Sequence, residues 1–338
     1  MKKTIFTFIL LCGLIFCLSA QENFTASCST GQTLEYTIMG DNEVKVVKVQ
    51  GDGNCAIPAT VQHKGVAYKV IAIGDGAFRG CENLTAVNIP NSVTSIGGKT
   101  FAFCRSLTSI SIPNSVTSIG TESFVACDGL TSIYIPNSVT FIGTAAFAGC
   151  NGLTSIIVDK DNPMYDSRNN CNAIIHTETN VLNSCCRNTQ IPSSVTSIGD
   201  LAYGGLNIIS INIPNSVTTI GAGAFQDCES LLSVNIPNSV TSIGDGAFLR
   251  CESLTSIDIP NSVISIGDGA FFACDNLTSV TIPSSVTFIG NKVFAMCESL
   301  NSIIVDKDNP SYGVRKQEGW LLLYDKRTDR VIFAAEAE

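Results

Sequence analysis

Residues 107–127 read LTSISIPNSVTSIGTESFVAC, and residues 130–150 read LTSIYIPNSVTFIGTAAFAGC. The step from Leu107 to Leu130 is 130 − 107 = 23 residues, and the period runs far beyond this pair. Ile-Pro prolines stand at 90, 113 and 136, then at 192, 214, 237, 260 and 283. Cysteines at 81, 104, 127 and 150 keep the same spacing, as do those at 228, 251, 274 and 297. The aromatics Phe78, Phe101, Phe124, Phe147, Tyr203, Phe225, Phe248, Phe271 and Phe294 mark nine units. The fifth unit is worn: it carries Tyr203 for Phe, Gly205 in the cysteine slot, and one residue fewer. A fixed period of this length is the mark of a solenoid, in which each unit contacts mainly its neighbours.

Each unit, L-T-S-I-x-I-P-N-S-V-T-S-I-G-x-x-A-F-x-x-C, reads as three segments. L-T-S-I-x-I is a short strand of β-branched residues. Proline ends it because proline has no N–H to donate. V-T-S-I is a second short extended piece after the N-S turn. Gly then permits a bend, and x-x-A-F-x-x-C is read as about two turns of helix or 3₁₀ structure. One unit cannot bury its own Leu, Ile, Val and Phe, but stacked units can. The expected fold is therefore a repeat solenoid, β-rich with short helical turns, of about nine 23-residue units with a parallel sheet on one face.

These residues resemble a leucine-rich repeat. L-x-x-I-x-I matches the L-x-x-L-x-L start, with Ser92 and Ser115 where Asn or Cys is usual. The tail I-P-x-S-V-T-x-I-G-x-x-A-F-x-x-C resembles the BspA-like leucine-rich repeat family of bacterial surface proteins, over roughly residues 56–310. The stretch from Val158 to Ile175, which begins VDKDNPMYD, resembles an insert common in that family, and VDKDNPSY recurs from Val305. The resemblance implies a secreted or cell-surface location and adhesion to an extracellular, host or neighbouring-cell protein.

The ends read differently from the middle. Lys2 and Lys3 precede an apolar run from Ile5 to Leu18, and Leu18-Ser19-Ala20 has small residues suited to cleavage, so residues 1–20 read as a secretory signal peptide. A lipid anchor needs a cysteine just after the apolar run; Cys17 follows Phe16 and Cys28 lies eight residues past Ala20, which disfavours it. Removing two lysines moves the formal net charge from −9 to −11. No basic patch is visible, so nucleic acid is an unsuitable partner, and no later segment is long and apolar enough to cross a membrane. Residues 21–70 read as an N-terminal β cap, 71–157 as the first repeat block, 158–190 as a β-hairpin insert, 191–304 as the second block, and 305–338 as a C-terminal hairpin or cap.

No catalytic residue, metal ligand set or cofactor motif stands out. His63 and His176 are far apart in sequence, and no nucleophile elbow, HExxH or P-loop is present. The ladder cysteines lack metal spacing and read as a buried column of small, reduced hydrophobes. Cys171 and Cys186 read as a cross-strand disulfide if His176 pairs with Val181, with Cys171–Cys185 as the slipped alternative. The two D-K-D-N runs, Asp159–Asn162 and Asp306–Asn309, read as solvated turns rather than Ca²⁺ loops, which need a Gly and a distal Glu. Phe141 and Phe288 stand where Ser is usual, either as exposed anchors or as packing residues.

The variable position within L-T-S-I-x-I is the best candidate for recognition. It reads Asn88, Ser111, Tyr134, Ile157, Asn212, Asn235, Asp258 and Thr281. Alternation turns these side chains outward into one column. The binding candidates are Asn88, Ser111, Tyr134, Asn212, Asn235, Asp258 and Thr281. The competing readings are a structural spacer without a ligand and a glycan-binding module, the latter weakened because Tyr134 is the only aromatic among them.

Overall fold

The computed structural model describes residues 22–336. The signal-peptide reading of residues 1–20 lies outside the described residues. The chain winds into a β-solenoid of about 11 turns of roughly 23 residues. That exceeds the nine aromatic-marked units because rungs without an aromatic of their own stack at the ends, where Cys55–Ala56 and Ser302–Val305 form strands.

Two strand columns run the length of the coil. The V-T-S-I pieces form the more continuous one. Ser95–Ile96, Ser118–Ile119 and Phe141–Ile142 pair in parallel, each residue with its counterpart one repeat on. The L-T-S-I-x-I strands also pair in parallel, but in short sheets of two or three strands. The expected parallel sheet is therefore present, with its longest hydrogen-bonded run in the second strand of the repeat. Proline closes the corner between the columns: the Val93 and Val116 amides donate to the Pro90 and Pro113 carbonyls at 3.0 Å.

The third segment is not helical. Nearly every unit places two residues of x-x-A-F-x-x-C in the left-handed region, for example Lys99 at φ 54° and Phe103 at φ 62°. Such residues break a helix, so the segment becomes consecutive turns. Alternate amides close the turns locally, as Arg79 N does to Gly76 O at 2.9 Å. The others donate to the next rung: Gly76 N to Gly98 O at 2.9 Å, Phe78 N to Thr100 O at 2.9 Å, Gly80 N to Ala102 O at 2.8 Å. The segment is thus a third column of inter-rung bonds. Inside it the aromatics stack at 5.1–5.2 Å between centroids from Phe78 to Phe147, and at 5.1–5.6 Å from Tyr203 to Phe294. Each such pair contributes about 0.5–1.5 kcal/mol beyond burial.

The buried side chains form two cores that meet at the insert. Tyr165, Ile174 and Cys186 face the first core, whereas Cys171, Ala173, Ile175, Leu182 and Cys185 face the second. The hairpin Ala173–His176/Val181–Cys185 then offers its second strand, in parallel, to Ser197–Ile198, and the V-T-S-I sheet restarts there. Meanwhile the turn column runs on past the insert, with Gly149 N bonded to Gly204 O at 2.7 Å.

The D-K-D-N-P-x-Y runs are what end each V-T-S-I sheet. In regular rungs a Ser hydroxyl donates to the Val carbonyl one rung back, as Ser138 does to Val116 at 2.7 Å. At the last rung of each block Asn takes over. Asn162 Nδ2 donates to Pro136 O and Val139 O at 2.8 and 2.9 Å, and Asn309 Nδ2 donates to Pro283 O and Val286 O at 2.7 and 3.0 Å. The outward amides of Ile142 and Ile289 donate to Tyr165 Oη and Tyr312 Oη at 3.1 and 2.7 Å. The two runs were read as solvated turns, and that reading is corrected here for their asparagines: Asn162 and Asn309 are buried plugs. Asn309→Ala strands two buried carbonyls and is expected to cost about 2 kcal/mol, with faster amide exchange at Phe288 and Ile289. Asp308→Ala next to it is exposed and should cost almost nothing, so equal effects would refute the plug.

Rung spacing is set where backbones touch. A Cβ on Gly244 would lie 2.6 Å from Gly221 C and 2.7 Å from Ala222 N, and on Gly120 only 2.4 Å from Gly98 N. Gly244→Ala should therefore destabilise by about 3 kcal/mol through overpacking. Gly246, at φ 57°, meets no backbone, and Ala145 holds the matching place one block earlier. Gly246→Ala should cost only about 1 kcal/mol. Thermal melts of the two variants separate these outcomes, and equal losses would show that rung contact is not limiting.

Candidate functional site

The repeat strands leave one face of the L-T-S-I-x-I column open. Leu, Ile and Ile turn inward: Leu130, Ile133 and Ile135 are almost wholly buried. The candidates Asn88, Ser111, Tyr134, Asn212, Asn235, Asp258 and Thr281 are all exposed. Register brings some of them together. Tyr134 pairs with Ile157, Asn212 with Asn235, Asp258 with Thr281, and Thr281 with Ile304. The sheet breaks between these groups, so the candidates form adjoining patches rather than one hydrogen-bonded strip.

Several surface residues of this column are apolar and were not singled out from the sequence. Ile157 and Ile304 are 52% and 57% exposed, and Ile209 and Leu232, in the Thr slot, are 64% and 51% exposed. Leu232 N bonds to Ile209 O at 2.9 Å, so the latter two sit on adjacent rungs. The signal was present, because an aliphatic residue in a slot otherwise held by Thr or Asn has no packing role. Around the corner, Phe141 and Phe288 are each 55% exposed, which makes them surface residues rather than packing ones.

Tyr134 is held rather than free. Its hydroxyl donates to Asp159 Oδ2, which also accepts charge compensation from Lys160. This hydrogen bond raises the tyrosine above its ordinary range and holds Asp159 below the usual carboxylate range. Asp159 Oδ1 meanwhile accepts the Asp161 amide at 2.9 Å. The D-K-D-N carboxylates and amide are thus engaged in shaping the turn. Among the described residues no group of three His, Cys, Asp or Glu side chains gathers in a way that could hold a metal ion.

The histidines serve their hairpins. His63 stacks on Phe24 at 4.1 Å, and His176 packs edge-on against Tyr165 at 5.7 Å. They lie in separate sheets. The register does not bring Cys171 and Cys186 together. Ile175 pairs with Leu182 as expected, but a bulge between Ile174 and Ile175 shifts the far end so that Ala173 meets Cys185. A one-residue shift turns a side chain to the other face, so Cys171 and Cys186 point into different cores. The slipped alternative, Cys171 with Cys185, has both side chains in the second core.

The ladder cysteines from Cys104 onward are buried, whereas Cys81, on the first rung, is only half-buried, which corrects the expected column there; the buried ones are more than apolar filler. Each of these from Cys104 onward donates its thiol to the carbonyl of the aromatic on the rung before: Cys104 to Phe78 at 3.1 Å, Cys127 to Phe101 at 3.1 Å, Cys251 to Phe225 at 3.2 Å, Cys297 to Phe271 at 3.0 Å. Burial pushes Cys150 and Cys228 up to about 12, which removes the nucleophilic thiolate at neutral pH. Cys251→Ala should cost about 2 kcal/mol from lost volume and a stranded carbonyl. Cys251→Ser, which keeps a donor, should cost about half that, roughly 1 kcal/mol. Urea melts distinguish them; a costlier Ser would mean that the sulfur acts only as an apolar group.

Parallel rungs, inward Leu and Ile, and an outward polar face define a leucine-rich-repeat solenoid. The sequence matches the BspA type Leucine rich repeat region, in 6 copies, over residues 61–172 and 178–307. The chain belongs to this family. A leucine rich cell surface protein from Faecalibacterium prausnitzii A2-165 is 28% identical, with a TM-score of 0.51, over 84% of this chain and 95% of that one. A leucine-rich repeat protein from Eubacterium ventriosum shares the fold at 24% identity and TM-score 0.57, over 84% and 85%. The pneumococcal vaccine antigen PcpA does so at 17% identity and TM-score 0.55, over 84% and 82%. Comparison with curated proteins gives no match. Families of this kind are binding scaffolds, and protein–protein recognition is their general role. Among the described residues no helix is long and apolar enough to cross a membrane.

Proposed function

We propose that the chain is exported and acts at the cell surface or in the medium as a protein-binding scaffold. Its partner is an extracellular protein of a host or neighbouring cell, contacted through the outward face of the L-T-S-I-x-I strands. The observation that carries this reading is the set of large apolar side chains on that face. Tyr134 is 47% exposed beside Ile157, and Ile209 and Leu232 stand together farther along. The cores are complete without them, so their exposure has no folding benefit. Exposed apolar groups rimmed by Ser, Thr and Asn are the usual composition of a recognition patch. A row of shallow side chains suits another protein better than a small molecule, which needs an enclosed pocket. The relative from Faecalibacterium prausnitzii, described as a cell surface protein, supports the location.

Binding energy concentrates in few residues, with aromatics enriched. The test combines Tyr134→Ser, Ile157→Ser and Asp258→Asn. All three positions are exposed, so the melting curve should barely move. Capture of the partner by the mature chain should weaken at least about tenfold, roughly 1.4 kcal/mol. Unchanged capture would move the site to the insert, the caps or the V-T-S-I face with Phe141 and Phe288, and loss of capture on no face would favour a spacer.

A further inference from the structure

Cys28 and Cys55 lie outside the cysteine ladder, at the junction between the N-terminal cap and the first rung. Cys28 opens the tight turn that links the cap strands Asn23–Ser27 and Thr33–Gly40. Its amide donates to Gln32 O at 2.9 Å and its carbonyl accepts Gly31 N at 3.0 Å, which fixes the turn. Cys55 starts the first strand of the L-T-S-I-x-I column and pairs with Val87. Polar contacts clamp the turn onto the strand. Gln32 Nε2 donates to Asp52 O at 2.8 Å and to Asn54 O at 2.6 Å, and Ala56 N donates to Thr30 Oγ1 at 3.0 Å. Both clamps start from the turn that Cys28 opens, and they bracket Cys55 between Asn54 and Ala56. Both cysteines are buried in the same core, and these bonds hold the turn that Cys28 opens against the strand that Cys55 starts.

The contrast with the ladder is chemical. From Cys104 onward the ladder thiols are spent on carbonyls, and stacking holds them parallel on successive rungs. Cys28 and Cys55 approach from separate elements, and the Cys28 thiol donates to the Gln32 side-chain oxygen at 3.2 Å rather than to the backbone of a preceding rung. Cys81, in the first ladder slot, is close enough to Cys55 to influence its charge, yet no three-ligand metal group gathers here among the described residues. A dithiol pair remains.

We propose that Cys28 and Cys55 form a disulfide that fastens the cap to the first rung, made by exchange with a protein or small-molecule disulfide. This rests on the exported location proposed above, since such bonds persist in oxidising surroundings. The Cys28 thiolate attacks one sulfur of the donor disulfide, giving a mixed disulfide and one thiol. The Cys55 thiolate then attacks the Cys28 sulfur, closing the Cys28–Cys55 bond and releasing the second thiol. Two cysteines are oxidised, the donor disulfide is reduced, and both thiol protons end on the released thiols.

The order of attack follows from the surroundings. Burial opposes ionisation of Cys28, but hydrogen bonds from the Thr30 hydroxyl and from the Thr30 and Gln32 amides outweigh it, so this thiol lies below its ordinary range. Burial, with the neighbouring Cys28, pushes Cys55 up to about 12. Cys28 is therefore the entering thiol and Cys55 the resolving one. A bond here also closes the chain over the loop 28–55, limiting the freedom of the cap in the unfolded chain. It also answers the lipid-anchor question for Cys28: its sulfur faces the core, and cleavage beside it would remove the strand Asn23–Ser27.

The experiment treats the reduced, purified mature chain with oxidised glutathione and maps peptides without reductant. The expected product joins Cys28 to Cys55, is lighter by two hydrogens, and leaves the ladder thiols free until denaturant is added. Reductant should then lower the melting midpoint of the oxidised chain but not that of Cys28→Ala. A Cys55–Cys81 link, a glutathione adduct that persists on Cys28, or a melt indifferent to reductant would overturn the proposal. The state of the same pair in protein collected outside the cell tests the location separately. A bond that forms with glutathione but is absent there would refute export into an oxidising space and leave the pair standing.

Discussion

Everything in this molecule follows from the distance between one rung and the next. Three columns of backbone hydrogen bonds hold successive turns together, and the glycine after each V-T-S-I strand lies where any Cβ would strike the backbone before it. At that separation a side chain pointing inward meets its own copy. Phenylalanine stacks on phenylalanine, threonine hydroxyls reach the carbonyl one repeat back, and cysteine thiols reach the carbonyl beside the preceding aromatic. A different residue on one rung would leave a hole or a clash on two. The near-identity of the repeats is this packing requirement written in sequence.

The same requirement creates a problem at each end of a stack, because the last rung has amides and carbonyls with no successor. The chain solves it twice with one device. Asparagine supplies two donors to the outgoing carbonyls, and tyrosine supplies an acceptor for the outgoing amide. A hairpin then covers the end of the core. In the middle of the chain the hairpin also provides a fresh strand on which the next sheet begins, while the turn column continues beside it. At the second occurrence the three-stranded meander Tyr312–Gln317, Trp320–Asp325, Val331–Glu336 follows the plug. At the start of the coil the antiparallel cap does the equivalent work, since Val66–Ile73 pairs in parallel with Ser95–Ile96.

Much of this was legible in the residues. Period, stacking, strand placement and the outward column can be read from Leu107–Cys150 alone, because they depend on identity at fixed spacing. The turn segment was not, because Lys99, Glu122 and Ala145 are ordinary helix formers that adopt left-handed backbone only when inter-rung bonds compensate. Asn162 and Asn309 looked like solvated turn residues, and only the absence of a following Ser rung makes them plugs. The register of Cys171 and Cys186 depended on a bulge that no local pattern announces. The apolar outward residues Ile157 and Ile304 were in plain view, but polar neighbours drew attention from them.

With the interior fixed by stacking, the outward positions are the ones free to differ from rung to rung. The most direct measurement of the proposed binding face places a photo-reactive side chain at position 157, on the open strand face, or at position 121, on the turn column. The account predicts that illumination of producing cells with their neighbours captures an extracellular protein from position 157 and not from position 121. Capture from position 121 alone, or equally from both, would contradict it.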